Sequence, residues 1–353
     1  MAALLLSAGL SVGVLTGCSS GQETDQAYGS TRVTAQQMVH LLETSLPEGK
    51  VAERRGNGVP QGDKPGRPPA AELLFGDGAR AVKVSVQLAW YPVPVPAQLS
   101  ECPDTAYHPY SRCTQRVLPD GARLVLDTSP QAEDKPAGGE RHTALLTYKD
   151  GKQVSVSAVG APTGPAPAGR APLVLSLGQV SAVATSKVWR PALSAMPAPP
   201  SQGPQTDSAS RMTGPEITRV IEQLLPKGLH ADQEGGSTGF GHVVVDDGRG
   251  KSLVTVNVQR WAADDPRMER LFHDADLLPD GTRVSISEEK PLRGGKGTVQ
   301  WSVDALRTDG LRVVVSSTNA PAYLLPAGRD EPALDTRMLQ RIALDPAWQQ
   351  ASH

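Results

Sequence analysis

Two stretches of the chain share one pattern of apolar and polar positions, and that pattern predicts the same elements twice. Met38, Leu41, Leu42 and Leu46 recur at helical spacing, as do Ile217, Val220, Ile221, Leu224 and Leu225, so each set forms the apolar stripe of an amphipathic helix. Thr34 with Gln37, and Thr213 with Glu216, stand where a capping box satisfies the first free N–H groups. Pro47 and Pro226 end the helices. Downstream the period becomes that of a strand. Val82, Val84, Val86 and Leu88 alternate with Lys83, Ser85 and Gln87, and Val254, Val256 and Val258 alternate with Thr255, Asn257 and Gln259. One face of each strand is then buried and the other wet. Asp-Gly pairs at 77–78, 150–151, 247–248 and 309–310 predict hairpins, because glycine accepts the positive φ of a tight turn. Further strands are predicted over residues 123–127 and 283–288, and each unit closes with a helix. Ser176 or Asp335 caps it, and Val180, Val183 and Ala184 or Leu339, Ile342 and Ala343 form its stripe.

These correspondences run in order when residues 33–189 are laid over 212–348. Leu118-Pro119-Asp120-Gly121-Ala122-Arg123 answers Leu278-Pro279-Asp280-Gly281-Thr282-Arg283, Ala161-Pro162 answers Ala320-Pro321, and Trp189 answers Trp348. So many ordered matches identify an internal duplication. The fold class expected is α+β: two tandem copies of an α-β-β-β-β-β-α module, each an antiparallel sheet with two helices packed on it. The first module is placed at residues 33–190 and the second at 212–350. A Pro/Gly/Ser-rich linker fills 191–211. Only the first copy has insertions at 49–69, at Pro92–Pro96 and between Cys102 and Cys113, and surface drift is the simpler account of them.

Residues 2–14 are apolar or small, too short a run to span a bilayer but right for the apolar core of a signal peptide, although no Lys or Arg precedes them. Leu15-Thr16-Gly17-Cys18 follows at once and resembles the bacterial lipobox. The resemblance implies a signal peptide over 1–17, cleavage before Cys18, and acyl chains on that thiol as the membrane partner. Residues 18–32 then form a polar tether reaching roughly 45 Å if extended. The mature chain also resembles the tandem-module lipoproteins of high-GC actinobacteria, through Leu-Pro-Asp-Gly-x-Arg, Asp-Gly-x-x-Val and Asp345-Pro346-Ala347-Trp348. That likeness implies a place at the cell membrane, facing outside the cytoplasm, and no activity. At fold level the module is similar to PsbP-like domains, which implies no activity either.

In such a space Cys102 and Cys113 are expected to form a disulfide across an irregular loop, contributing about 2–3 kcal/mol by loop closure. A metal site on Cys102, His108 and Cys113 is the alternative, short of a fourth ligand. A formal charge of −2 without a basic stripe excludes a nucleic-acid surface, and the mixed-sign stretch 53–64 reads as a solvated loop. Gly235-Gly236-Ser237-Thr238-Gly239 matches the spacing of a nucleophile elbow, but a helix precedes it and a strand follows, the reverse of what that elbow needs. It reads as a glycine-rich connector. The histidines form no H-E-x-x-H, and Glu288 and Glu289 fall on opposite faces of a strand. Trp189 and Trp348 read as seals between helix and sheet. No catalytic, cofactor-binding or metal residue is assigned. The expected function is a non-catalytic envelope module binding an unknown envelope protein or ligand. An envelope hydrolase with an unfamiliar site around Cys102–Cys113, or a carrier of small apolar ligands with a cavity between sheet and helices, are the alternatives.

Overall fold

The computed structural model describes residues 33–60, 66–76, 80–132, 139–160, 173–199, 212–262 and 264–350. Cys18 and its leader, the Asp77-Gly78 turn, Ala161-Pro162 and residues 200–211 lie outside them. The first half runs α1 (Ala35–Ser45), β1 (Lys50–Asn57), β2 (Ala70–Gly76), β3 (Ala81–Trp90), β4 (Arg112–Val117), β5 (Arg123–Pro130), β6 (Glu140–Thr147), β7 (Lys152–Gly160), α2 (Leu177–Ala184) and α3 (Arg190–Ser194). The second runs α4 (Gly214–Leu224), β8 (His230–Ser237), β9 (Phe240–Asp246), β10 (Lys251–Arg260), α5 (Pro266–Leu271), β11 (Asp276–Leu277), β12 (Arg283–Glu289), β13 (Gln300–Leu306), β14 (Leu311–Thr318), α6 (Thr336–Ala343) and α7 (Ala347–Gln350).

Each half builds one seven-stranded antiparallel sheet. The orders are β1-β2-β3-β7-β6-β5-β4 and, read from the same end, β8-β9-β10-β14-β13-β12-β11. The two orders are the same, so the duplication extends to topology. The class is α+β as expected, but seven strands replace the expected five. Both missed strands of each copy are the edges of its sheet: β1 and β4 in the first, β8 and β11 in the second. An edge strand has one neighbour and no obligation to bury a face, so it carries no apolar alternation to read. In β1, Glu53 adopts φ 48° at a register shift between Ala52 and Arg55, and most of its residues are exposed. The expected loop at 53–64 therefore begins as a bulged, charged edge strand. The glycine-rich connector is likewise the end of β8 and the turn into β9, with Ser237 paired to Phe240.

The helices cover one face of each sheet. Met38 and Leu42 of α1 and Val180 and Val183 of α2 pack with Val84, Val86, Leu124 and Val156 in one buried core. Ile217, Ile221, Leu339 and Ile342 pack with Val254, Val256, Val303 and Val315 in the other. The capping boxes are formed: Gln37 Oε1 accepts the Thr34 N–H at 2.7 Å, and Glu216 Oε2 accepts the Thr213 N–H at 2.8 Å. Trp189 and Trp348 are both 0% exposed, and each indole N–H donates at 2.7 Å to the carbonyl six residues back, on Val183 and on Ile342. The seals do the same job in both copies. Ala192 and Leu193 of α3 are also buried in the first core. Among the described residues no helix is long and apolar enough to cross a membrane.

One turn is duplicated down to its hydrogen bond. Gly151 (φ 85°) accepts from the Tyr91 N–H, and Gly310 (φ 80°) from the Trp261 N–H, each at 2.9 Å. A Cβ on either glycine would run into the carbonyl oxygen of that same partner. Gly151→Ala and Gly310→Ala should each cost more than about 1 kcal/mol, from the left-handed backbone and the clash together. Denaturant unfolding of the single variants checks this, and an unchanged midpoint in either would contradict it.

Candidate functional site at the junction of the two sheets

The face of each sheet away from its helices is free to meet something else. On the first sheet it carries Glu72, Lys83, Ser85, Gln87, Thr143 and Ser157, a polar surface. On the second it carries His242, Val244, Leu253 and Thr255, all buried. What covers them is the insertion between β3 and β4 of the first module, together with Tyr323 of the second.

That insertion is pinned at both ends. Cys102 and Cys113 are bonded, Sγ–Sγ 2.10 Å, with Cys113 standing in β4 rather than in the irregular loop expected for it. With both sulfurs in the disulfide, the Cys102–His108–Cys113 ligand set is not formed. Among the described residues no group of three or more His, Cys, Asp or Glu side chains is placed to hold a metal. Gln153, buried on the open face of the first sheet, donates to Leu99 O at 2.6 Å and to Thr147 Oγ1 at 2.9 Å, which seats the chain leading into the loop. Ser111 donates to the Asp127 carboxylate, and Arg123 pairs with Glu101. Within the loop, Asp104 accepts the N–H of Ala106 on its carboxylate (2.8 Å) and that of His108 on its carbonyl (2.9 Å), so the tip is a tight turn.

The tip lies across the second sheet. Asp104 Oδ1 is 2.8 Å from Nε2 of His242, whose side chain is 2% exposed. Nδ1 of the same ring is buried without a partner among the described residues. The Nε2 contact and the burial of the ring together fix His242 under the tip. The ring fits because its neighbour on β8 is glycine: a Cβ at Gly235 would fall 2.5 Å from Nε2. The first glycine of the Gly-x-Ser-x-Gly run is thus required by the imidazole, not by a nucleophile. Next to the pair, the Tyr107 ring stacks on Tyr323 (centroids 5.0 Å, 20° between planes) and tilts against Phe240 at 5.3 Å. Ala106 is buried with Val244 and Leu253, and its carbonyl accepts the Tyr323 N–H at 2.9 Å. Backbone, rings and an ion pair converge on three residues of the loop.

These contacts shape a cleft of about 630 Å³. Tyr110, Val125, Arg141 and Leu145 wall it from the first module, and Arg293 and Leu324 from the second. Leu324 follows the stacked Tyr323 and donates its N–H to Arg293 O at 2.8 Å, so the seated tip also places the second wall. Burial acts to raise the Asp104 carboxyl, but the hydrogen bond and charge of His242, the Ala106 N–H and the charge of His108 outweigh it and hold it below its ordinary value of 3.8. Burial, with the nearby Tyr323 and Asp104, pushes the Tyr107 hydroxyl up.

No protein-family model matches the chain, and comparison with curated proteins finds no match. Among solved structures the chain is similar to MucB in its complex with MucA(peri), at 10% identity and a TM-score of 0.16 over 88% of this chain and 97% of that one. It is also similar to DynU16, a protein of the dynemicin biosynthetic locus, at 11% identity and a TM-score of 0.11 over 91% and 93%. Scores this low carry over neither fold nor function.

The depressed Asp104 carboxyl gives the junction a pH dependence of definite sign. Its contribution is complete above the unfolded value near 3.8 and is lost as pH falls through the lower folded value. Small-angle scattering should therefore show the radius of gyration growing below about pH 4, while both sheets keep their far-ultraviolet signal. Asp104→Ala should cost the junction about 1–3 kcal/mol by leaving a buried imidazole nitrogen without its partner, and should produce the same expansion. A radius insensitive to both changes would show that the tip does not hold the halves together.

Proposed function

We propose that the chain is an extracytoplasmic binding protein, held at the cell membrane by acyl chains on Cys18, which receives a partner or ligand in the cleft between its two sheets. The observation that carries this reading is the seated loop. One copy of a duplicated module has grown a disulfide-closed insertion whose tip packs on the open face of the other copy. The result is a concave surface lined from both halves. Ser111, one of several hydroxyls on the cleft wall with Tyr110, Ser129 and Thr143, donates to the Asp127 carboxylate. That bond orders the loop and does not activate a nucleophile. The space between the first sheet and its helices is filled by fully buried side chains, Met38, Leu42, Val84, Leu124 and Trp189 among them, which favours a surface cleft over an internal carrier cavity.

The anchor and the cleft are tested separately. In the native host, Cys18→Ser should abolish incorporation of labelled palmitate and release the protein from the membrane fraction. Palmitate incorporation that survives the substitution would remove the anchor from the account. For the cleft, a photoreactive residue replacing Tyr110 should form an adduct in intact cells that the same residue at exposed Lys187, on the helix side, does not form. Equal labelling from both positions, or none from position 110, would contradict a binding cleft.

A further inference from the structure

The five tryptophans sort into four and one. Trp90 donates its indole N–H to Asp150 O, Trp189 to Val183 O, Trp261 to Gln259 Oε1 and Trp348 to Ile342 O, at 2.7–2.9 Å. Trp301 has no partner for its N–H among the described residues. It stands on β13, packs by part of its ring against the second core, and lines a cleft of about 940 Å³. That cleft lies between the segment Pro226–Leu229 after α4 and the start of α6 at Asp335–Met338. We propose that this cleft is a carbohydrate site, in which a neutral sugar lies on the Trp301 ring and an oxygen of the sugar accepts the indole N–H.

The charges around the ring decide the class of ligand. Asp247 is committed to Arg329 at 2.9 Å, and Asp335 caps α6 by accepting the Met338 N–H at 2.7 Å. Lys227, Arg249, Asp330 and Glu331 remain on the rim, exposed, with no side-chain bond among the described residues. With the Asp247–Arg329 pair and Asp335 included, the lining carries three cations and four anions, a net −1 spread over both signs, so the rim concentrates neither charge. It offers donors and acceptors together, which is what a ligand of many hydroxyls needs, since each hydroxyl both donates and accepts. An aromatic ring with a polar tip adds an apolar platform for the C–H face of a sugar ring.

The duplication supplies a control built into the molecule. The position equivalent to Trp301 in the first module is His142, whose Nδ1 lies 3.0 Å from Leu175 O. There the side chain is used by the fold; in the second module the same register position carries an indole on a cleft wall, its N–H without a partner among the described residues. The site lies within the second module and shares no residue with the cleft at the junction, so either can fail without the other.

The test is a titration of the ¹⁵N-labelled mature chain with a β-1,4-linked N-acetylglucosamine tetramer and, separately, with maltotetraose, reading the indole N–H resonances. The Trp301 resonance should move saturably with at least one of the two glycans while the other four stay in place. Glu331→Gln, a change on the exposed rim, should weaken binding about fivefold or more with an unchanged melting temperature. Trp301→His, which installs the first module's residue, should abolish it. A Trp301 resonance unmoved by millimolar concentrations of both glycans would overturn the proposal. So would binding that persists at full affinity in Trp301→His.

Discussion

A sheet covered by helices on one side leaves its other side in water unless something is laid across it. In the second half of this chain that something is the tip of a loop from the first half, packed beside Tyr323. The contact is small: Asp104 against His242, Ala106 against Val244 and Leu253, Tyr107 between Phe240 and Tyr323. It persists because the loop is ordered before it docks. The disulfide and the Gln153 hydrogen bonds remove most of the conformational freedom that the tip would otherwise lose on contact. With the Asp104 carboxylate at 2.8 Å, His242 tolerates a site nearly closed to water; without it the same ring would be a buried polar group with nothing to bind.

The two copies have kept what folds them and changed what faces outward. The glycine turns, the tryptophan seals and the strand order recur. Along one row of the open face, however, Arg55, Glu72 and Ser85 of the first sheet stand where the second has Gly235, His242 and Thr255. The first set suits solvent, and the second suits a docked loop. On the helix side, His142 and Trp301 diverge in the same manner. Function in such a molecule is found by asking where equivalent positions no longer match, since matching positions are already explained by the shared fold.

Much of this architecture was legible in the chain. Central strands were readable because β3 and β10 bury alternate residues, and helices because their stripes and caps agree. Edge strands were not, because β1 and β8 answer to a single neighbour and are spelled with charges and glycines. The covering of the second sheet left one signal that went unread. Val243, Val244 and Val245 run without interruption, and Leu253 stands beside Val254, so the open face of β9 and β10 carries an apolar patch where a wet face was expected. The partner of that patch lies more than a hundred residues away, in an insertion that reads as surface drift. No local pattern joins Asp104 to His242; only the fold does.

The junction depends on the loop tip of the first module resting on the second sheet in solution. Nuclear Overhauser contacts between the Tyr107 ring and the rings of Phe240 and Tyr323, recorded on the full chain at neutral pH, measure this directly. Cross-peaks to both rings are predicted, and they should vanish together in a Cys102→Ser/Cys113→Ser variant. A Tyr107 ring without contacts to either residue, in a chain whose two cores are otherwise folded, would contradict the junction and the cleft built on it.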